Sequence, residues 1–186
     1  MFRTLFTSLS ASKRAILLLG LAYLSFIALP MPDAALGVSW KRMRLSLDMP
    51  VQYAGFITTT LTLSSAFSSV VAGWLFRKFR PGALLALGVG LTGCALLGYA
   101  GAPFFALVLL LTIPLGLGEG IINTVSNAFV AKNCSSRAMC WLHMCSGLGN
   151  TFGAGIITLL FLADVSWRSG YLTMASFHLA CAAVFL

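Results

Sequence analysis

Six stretches of this chain are each apolar over roughly the length that a helix needs to cross a lipid bilayer. About 20 apolar residues span the hydrocarbon core. The predicted spans cover residues 14–36, 51–76, 82–100, 104–130 and 138–162, and a sixth begins at residue 169. Only 9% of the residues are charged, whereas a soluble domain needs about 25%. The sequence therefore predicts an all-α integral membrane protein, with residues 1–186 forming a single transmembrane domain.

The cationic residues between the spans predict how the chain is oriented. If the N-terminus is cytoplasmic, the inner segments hold Arg3, Lys13, Arg14, Arg77, Lys78, Arg80, Lys132 and Arg137, and the outer loops hold Lys41, Arg42, Arg44 and Arg168. Cytoplasmic loops are enriched in Lys and Arg, so we expect a cytoplasmic N-terminus in a plasma (bacterial inner) membrane. The same topology explains the net charge of +8. Because no basic face with stacking aromatic residues is present, no nucleic-acid partner is predicted.

Two of the four acidic residues, Asp33 and Glu119, lie in apolar stretches. An ionisable group in hydrocarbon costs a few kcal/mol or more, which makes it a functional candidate. Glu119, Asn123 and Asn127 are spaced four apart and share one helix face; this stripe forms either a solute pathway or hydrogen bonds between helices. Asp33 follows Pro30-Met-Pro32 near the outer end of its predicted span, where it either faces a cavity or caps a broken helix end.

The fifth span carries a further polar face. His143, Gly147 and Asn150 lie on one side of the predicted helix. His143 can carry protons because imidazole titrates near neutral pH, although its position near the cytoplasmic end fits a packing role equally well. Gly149 and Gly153 form a GxxxG pair that allows a neighbouring helix to approach closely.

No pattern typical of an enzyme or of a cofactor site occurs. The sequence has no HExxH motif and no Ser/His/Asp set, and its five cysteines show no disulfide framework. Cys140, His143 and Cys145 on one helix point in different directions and are poorly placed to share a metal ion. The glycines around Glu119 favour close helix packing over dinucleotide binding, because no strand precedes them. We therefore predict no enzyme activity, no cofactor and no metal.

Three stretches carry a resemblance to a known family. They are residues 32–40 (PDAALGVSW), residues 127–131 (NAFVA) together with 141–143 (WLH) and 147–149 (GLG), and residues 166–171 (SWRSGY). In this order they resemble the N-terminal half of a major facilitator superfamily (MFS) transporter, in a branch akin to the fucose:proton symporters. The resemblance implies a six-helix half built from 3+3 inverted repeats, with solute and coupling ion bound between two halves. It also implies that the C-terminal half is absent and that the last helix is truncated.

The family pattern assigns roles to some of these residues. Acids on its first and fourth helices typically take part in solute binding and proton coupling, which Asp33 fits. The position of the fourth-helix acid is occupied here by Asn123, one turn before the matching Asn127, and Glu119 lies a further turn back. The gating loop between the second and third helices corresponds to Gly73, Arg77, Lys78 and Arg80. Arg77 stands where the family has an aspartate.

The expected function is that of a secondary active transporter, coupled to protons and moving a small polar solute such as a sugar. The predicted pathway residues are Asp33, Glu119, Asn123, Asn127, His143 and Asn150. Expected partners are the lipid bilayer, the solute, protons and either a missing C-terminal half or a second copy of the chain. The alternatives are a truncated membrane remnant without transport activity and an accessory membrane protein.

Overall fold

The computed structural model describes residues 11–185, with side chains from residue 16 onward. This part of the chain is helical and contains no strand, which confirms the all-α prediction. The helices are α1 (Ala11–Ala28), α2 (Met31–Ser46), α3 (Ala54–Leu75), α4 (Pro81–Gly101), α5 (Phe105–Asn133), α6 (Ser136–Leu162) and α7 (Trp167–Phe185), with a 3-10 turn at Val51–Tyr53. Arg3 and the side chains of Lys13 and Arg14, all assigned to the cytoplasmic face, lie outside the described residues.

Five helical stretches in the described residues are long and apolar enough to cross a membrane. They are Ile16–Ser46, Val51–Leu75, Pro81–Gly101, Phe105–Asn133 and Ser136–Leu162. They correspond to the first five predicted spans. The sixth predicted span corresponds to α7, which has 19 residues, begins at Trp167, slightly before the predicted start, and is not one of these five stretches.

The first span differs from the prediction of one helix over residues 14–36. It is broken between Ala28 and Met31 and then continues to Ser46. Pro30 and Pro32 cause the break, since neither has an N–H to donate to the preceding turn and the residue before a proline avoids helical geometry. The prediction of a loop at Lys41, Arg42 and Arg44 is therefore wrong: all three lie on the last turns of α2.

The six predicted spans pack as two sets of three, the first three spans and the last three. The two sets exchange their second helices. The second span, α3, packs along α5, and the fifth span, α6, packs along α1 and α2. The third and sixth spans, α4 and α7, pack against each other. The second helix of each set therefore contacts the first helix of the other set. This is the exchange that a pseudo-two-fold axis between inverted three-helix repeats produces.

Pairs of glycines four residues apart, one pair on α5 and one on α6, allow close approach at two contacts: α5 against α3, and α6 against α1 and α2. A Cβ added to Gly116 on α5 would lie 2.6 Å from the carbonyl oxygen of Leu61 on α3. On α6, a Cβ on Gly149 would collide with the carbonyl oxygen of Ile27 at the break, and one on Gly153 would collide with the backbone of α2. The close-approach role predicted for Gly149 and Gly153 is confirmed.

The two acids outside the apolar stretches have a local structural role. Asp48 and Asp164 follow the ends of α2 and α6 and adopt left-handed backbone conformations, with φ of 52° and 56°. In both cases the next residue donates its N–H to a carbonyl five residues earlier at 2.8 Å. This pattern closes a helix end. Asp33 and Glu119 remain as the acids that helix ending does not explain.

Candidate functional site

Polar side chains from α2, α3, α5 and α6 meet at a partly open cavity of about 250 Å³. The lining residues are Phe26, Leu29, Pro30, Asp33, Ser65, Glu119, Asn123, His143 and Ser146. They include two carboxyl groups and one imidazole, and neither lysine nor arginine. Within the described residues, no three His, Cys, Asp or Glu side chains are arranged to hold a metal ion. The site is therefore suited to a polar ligand or to protons.

Glu119 is the most deeply buried acid at this cavity, with 6% of its surface exposed. Its Oε1 atom has no hydrogen-bond partner among the described residues. The glycines beside it fix the rotation of α5: a Cβ on Gly118 would lie 2.6 Å from the carbonyl oxygen of Gly88 on α4, and one on Gly120 would collide with Ser65 on α3. A buried polar atom without a partner is costly. The carboxyl group is therefore held at the cavity wall with unused bonding capacity.

Asp33 lies in the first turn of α2, just after the break, and lines the same cavity as Glu119. The expectation that it sits near the outer end of its span is wrong, because α2 continues to Ser46, about 20 Å further along the helix axis at the usual rise per residue. Pro30, the N-cap residue of α2, makes no side-chain capping hydrogen bond. The break thus places an exposed acid at the wall of the open cavity.

The asparagine stripe on α5 divides into two parts. Asn123 lines the cavity, whereas Asn127 donates through Nδ2 to Asn123 Oδ1 at 2.8 Å and to the Asn123 carbonyl oxygen at 2.9 Å. These bonds orient the Asn123 amide. They leave its NH₂ group free to donate toward the cavity. Asn127 is not among the lining residues.

One turn of α6 reaches the cavity, through His143 and Ser146. The His143 ring packs edge-on against Phe26, with ring centroids 5.9 Å apart. Asn150, the other polar residue predicted on this face, is exposed and is not among the lining residues. The structure thus brings together Asp33, Glu119, Asn123 and His143 and leaves Asn127 and Asn150 outside the cavity wall.

Sequence reasoning gave no site role to five of the lining residues. Phe26 and Pro30 share a helix face with Asp33 through spacings of three and four, a signal that could have identified them. Ser65 and Ser146 had no comparable signal, because membrane helices contain many hydroxyls that bond only to their own backbone. Thr62 is such a case, since it donates to the Thr58 carbonyl oxygen at 2.9 Å. Leu29 is apolar and gave no signal.

The gating-loop residues lie away from this cavity. Gly73 is near the end of α3, and the side chains of Arg77, Lys78 and Arg80 are exposed. The Lys78 amino group lies 3.9 Å above the centre of the Trp74 ring. Among the described residues, Arg77 makes no ion pair.

Comparison with known protein families yields a match over most of the chain. The family model described as Major Facilitator Superfamily matches residues 12–186, which include all of the structure's helices apart from the first residue of α1. A search of the curated proteins finds no match.

Proposed function

Since the chain belongs to the major facilitator superfamily, a family of membrane-embedded secondary transporters, we propose that it is coupled to protons and carries a small polar solute such as a sugar. Its nearest functional type would be the fucose:proton symporters. The pathway would run through the cavity between α2, α3, α5 and α6. The N-terminus would lie on the cytoplasmic side of a bacterial inner membrane.

The observation that supports the proposal best is the buried Glu119 carboxyl group with its unpartnered Oε1 atom. An ionised carboxylate inside a membrane protein needs a partner or water, and protonation removes the charge that makes its burial most costly. A proton on Glu119 would stabilise conformations in which the site is closed to water. Its loss would favour conformations in which the site is open. A difference of this kind shifts the population between two states and links proton movement to transport.

Solute binding would use the other polar groups at the cavity. Asp33 offers acceptor oxygens to solute hydroxyls, and Asn123 offers its amide NH₂ because Asn127 holds the amide oxygen. The imidazole of His143 can donate or accept. Phe26 supplies an apolar surface at the same wall. A sugar, with hydroxyls around an apolar ring face, matches this mixture of groups.

The cavity would be completed by a second helical unit. The two helices that flank it, α3 and α6, bury only 17% and 22% of their most apolar stretch within the described residues. Both carry large exposed apolar residues: Phe67, Trp74, Trp141 and Phe152. In the family the second unit is the C-terminal half; a second copy of the chain would be the other possible source.

The test is transport by the full-length protein reconstituted in liposomes with an inward proton gradient. Radiolabelled monosaccharides would be screened for accumulation, and an internal pH-sensitive dye would report proton entry driven by the solute. We expect Glu119→Gln to abolish accumulation above equilibrium while exchange of internal for external solute continues. Asp48→Asn is the matched control, because Asp48 is an acid that lies at a helix end away from the cavity.

Two results would contradict the proposal. The first is accumulation that survives both Glu119→Gln and collapse of the proton gradient, which would exclude coupling through this carboxyl group. The second is solute exchange that Asp33→Asn and Asn123→Ala leave unchanged, which would place the solute elsewhere.

A further inference from the structure

His178 is a fully buried imidazole on α7 that does not line the cavity. Its Nδ1 atom lies 2.7 Å from the Met174 carbonyl oxygen on the same helix. Its Nε2 atom lies 3.1 Å from the carbonyl oxygen of Ala28, the last residue of α1. Gly93 on α4 allows α7 to come this close, since a Cβ there would be 3.1 Å from the His178 Cβ. The ring thus connects the sixth span to the break in the first.

The two carbonyl groups differ in what else can satisfy them. The Met174 carbonyl can accept the N–H of His178 in the regular ladder of α7. The Ala28 carbonyl would normally accept from the residue four positions later, but that residue is Pro32, which has no N–H. Ala28 is fully buried, so its carbonyl needs a partner from elsewhere in the protein. The Nε2 atom of His178 supplies that donor in the tautomer that carries its proton on Nε2.

The segment held in this way leads directly into the cavity. Leu29, Pro30 and Asp33 follow Ala28 and line the site. From another side, Gly149 on α6 places its helix against Ile27 and Pro30. The break is therefore fixed by two contacts: a close helix approach from α6 and a side-chain hydrogen bond from α7.

We propose that His178 is a positioning residue, which fixes the break in the first membrane helix by donating Nε2–H to the Ala28 carbonyl and thereby sets where Asp33 sits in the cavity. This role depends on the missing N–H of Pro32 and not on the identity of the solute. It holds whether or not the cavity carries a sugar, so its test does not rely on transport.

The experiment is hydrogen exchange measured by mass spectrometry on the full-length protein in lipid nanodiscs, followed over residues 29–34. We expect His178→Phe, which keeps the ring but removes the donor, to speed exchange in this segment about five- to tenfold, as the loss of one buried hydrogen bond would do. Tyr99→Phe is the control. It removes the buried Tyr99–Thr112 hydrogen bond of 2.5 Å without touching the break.

Two amide variants test which ring nitrogen of His178 protects the segment. The side-chain nitrogen of Gln reaches roughly the position of Nε2, and that of Asn reaches only that of Nδ1. We expect His178→Gln to keep exchange near the wild-type rate and His178→Asn to behave like His178→Phe. If Asn protects the segment as well as Gln, or if His178→Phe has no more effect there than Tyr99→Phe, the proposal is wrong.

A double variant tests the cause. Pro32→Ala restores an N–H that can donate to the Ala28 carbonyl, so His178→Phe should change exchange less than twofold in that background. An undiminished effect of His178→Phe in the Pro32→Ala protein would overturn the proposed link between the missing N–H and the histidine.

Discussion

Gly149 offers the sharpest test of how α6 is held against the break. An added Cβ would collide with the Ile27 carbonyl oxygen and would lie 2.8 Å from Pro30 Cγ and 2.9 Å from the Ile27 carbonyl carbon. Carbon atoms in contact normally lie about 3.5–4.0 Å apart. Since the obstructing atoms include backbone and a proline ring, they cannot rotate away. In Gly149→Ala, α6 must therefore move by about 1 Å.

The expected cost of Gly149→Ala is about 1–3 kcal/mol from overpacking, reduced by the better helix propensity of alanine. Gly147→Ala is the matched control, because nothing lies within 4 Å of a Cβ at that position on the same helix. It should gain up to about 1 kcal/mol from helix propensity alone. Because both variants share the propensity gain, they should differ in stability by the overpacking cost of about 1–3 kcal/mol.

The measurement is reversible unfolding in mixed micelles of a mild detergent and sodium dodecyl sulfate, followed by circular dichroism. A second pair on the same helix, Gly153→Ala against Gly155→Ala, should show the same order, since Gly153 abuts Met31 and Gly155 has nothing within 4 Å. Equal stabilities of Gly149→Ala and Gly147→Ala would refute the reasoning, because they would show that α6 is not pressed against the break.

Two further predictions concern local interactions. Asp48→Gly should stabilise the protein by about 0.5–1 kcal/mol and Asp48→Val should destabilise it by about 1–2 kcal/mol, because φ is 52° there and a left-handed backbone disfavours side chains. Thermal unfolding in detergent would measure both changes in stability. A stabilising Asp48→Val would contradict the reasoning. A double-mutant cycle of Tyr99→Phe and Thr112→Val should give a coupling of about 1 kcal/mol for their buried hydrogen bond; strict additivity of the two changes would show that the bond contributes nothing.

The spans were predictable because bilayer length and apolar composition act locally. The prolines that end α1 and the glycine pair on α6 were also visible in the sequence, and each works through its own backbone or missing side chain. The first span was nevertheless predicted too short. The sequence predicts a loop at Lys41, Arg42 and Arg44, whereas α2 continues through them. Charged residues at a membrane surface are compatible with both a helix end and a loop, so charge alone could not decide.

The candidate site was predictable only in part. The spacing of Glu119, Asn123 and Asn127 shows that they share a face of α5, but not which of them meets another helix. The same limit applies to α6, where His143 reaches the cavity and Asn150 does not. His178 gave no signal that distinguished it, because its partner is a backbone carbonyl on a helix 150 residues away in sequence.

The sequence by itself determined that this chain is a membrane-embedded helical protein and which helix faces are polar. These properties follow from hydropathy and helix periodicity, which act within one span. Only the tertiary structure decided that Asp33, Glu119 and His143 share one cavity. It also decided that His178 lies within hydrogen-bond distance of the Ala28 carbonyl oxygen at the break. Such meetings depend on the rotation and depth of each helix relative to its neighbours, which are set by close contacts such as those at Gly149 and Gly120.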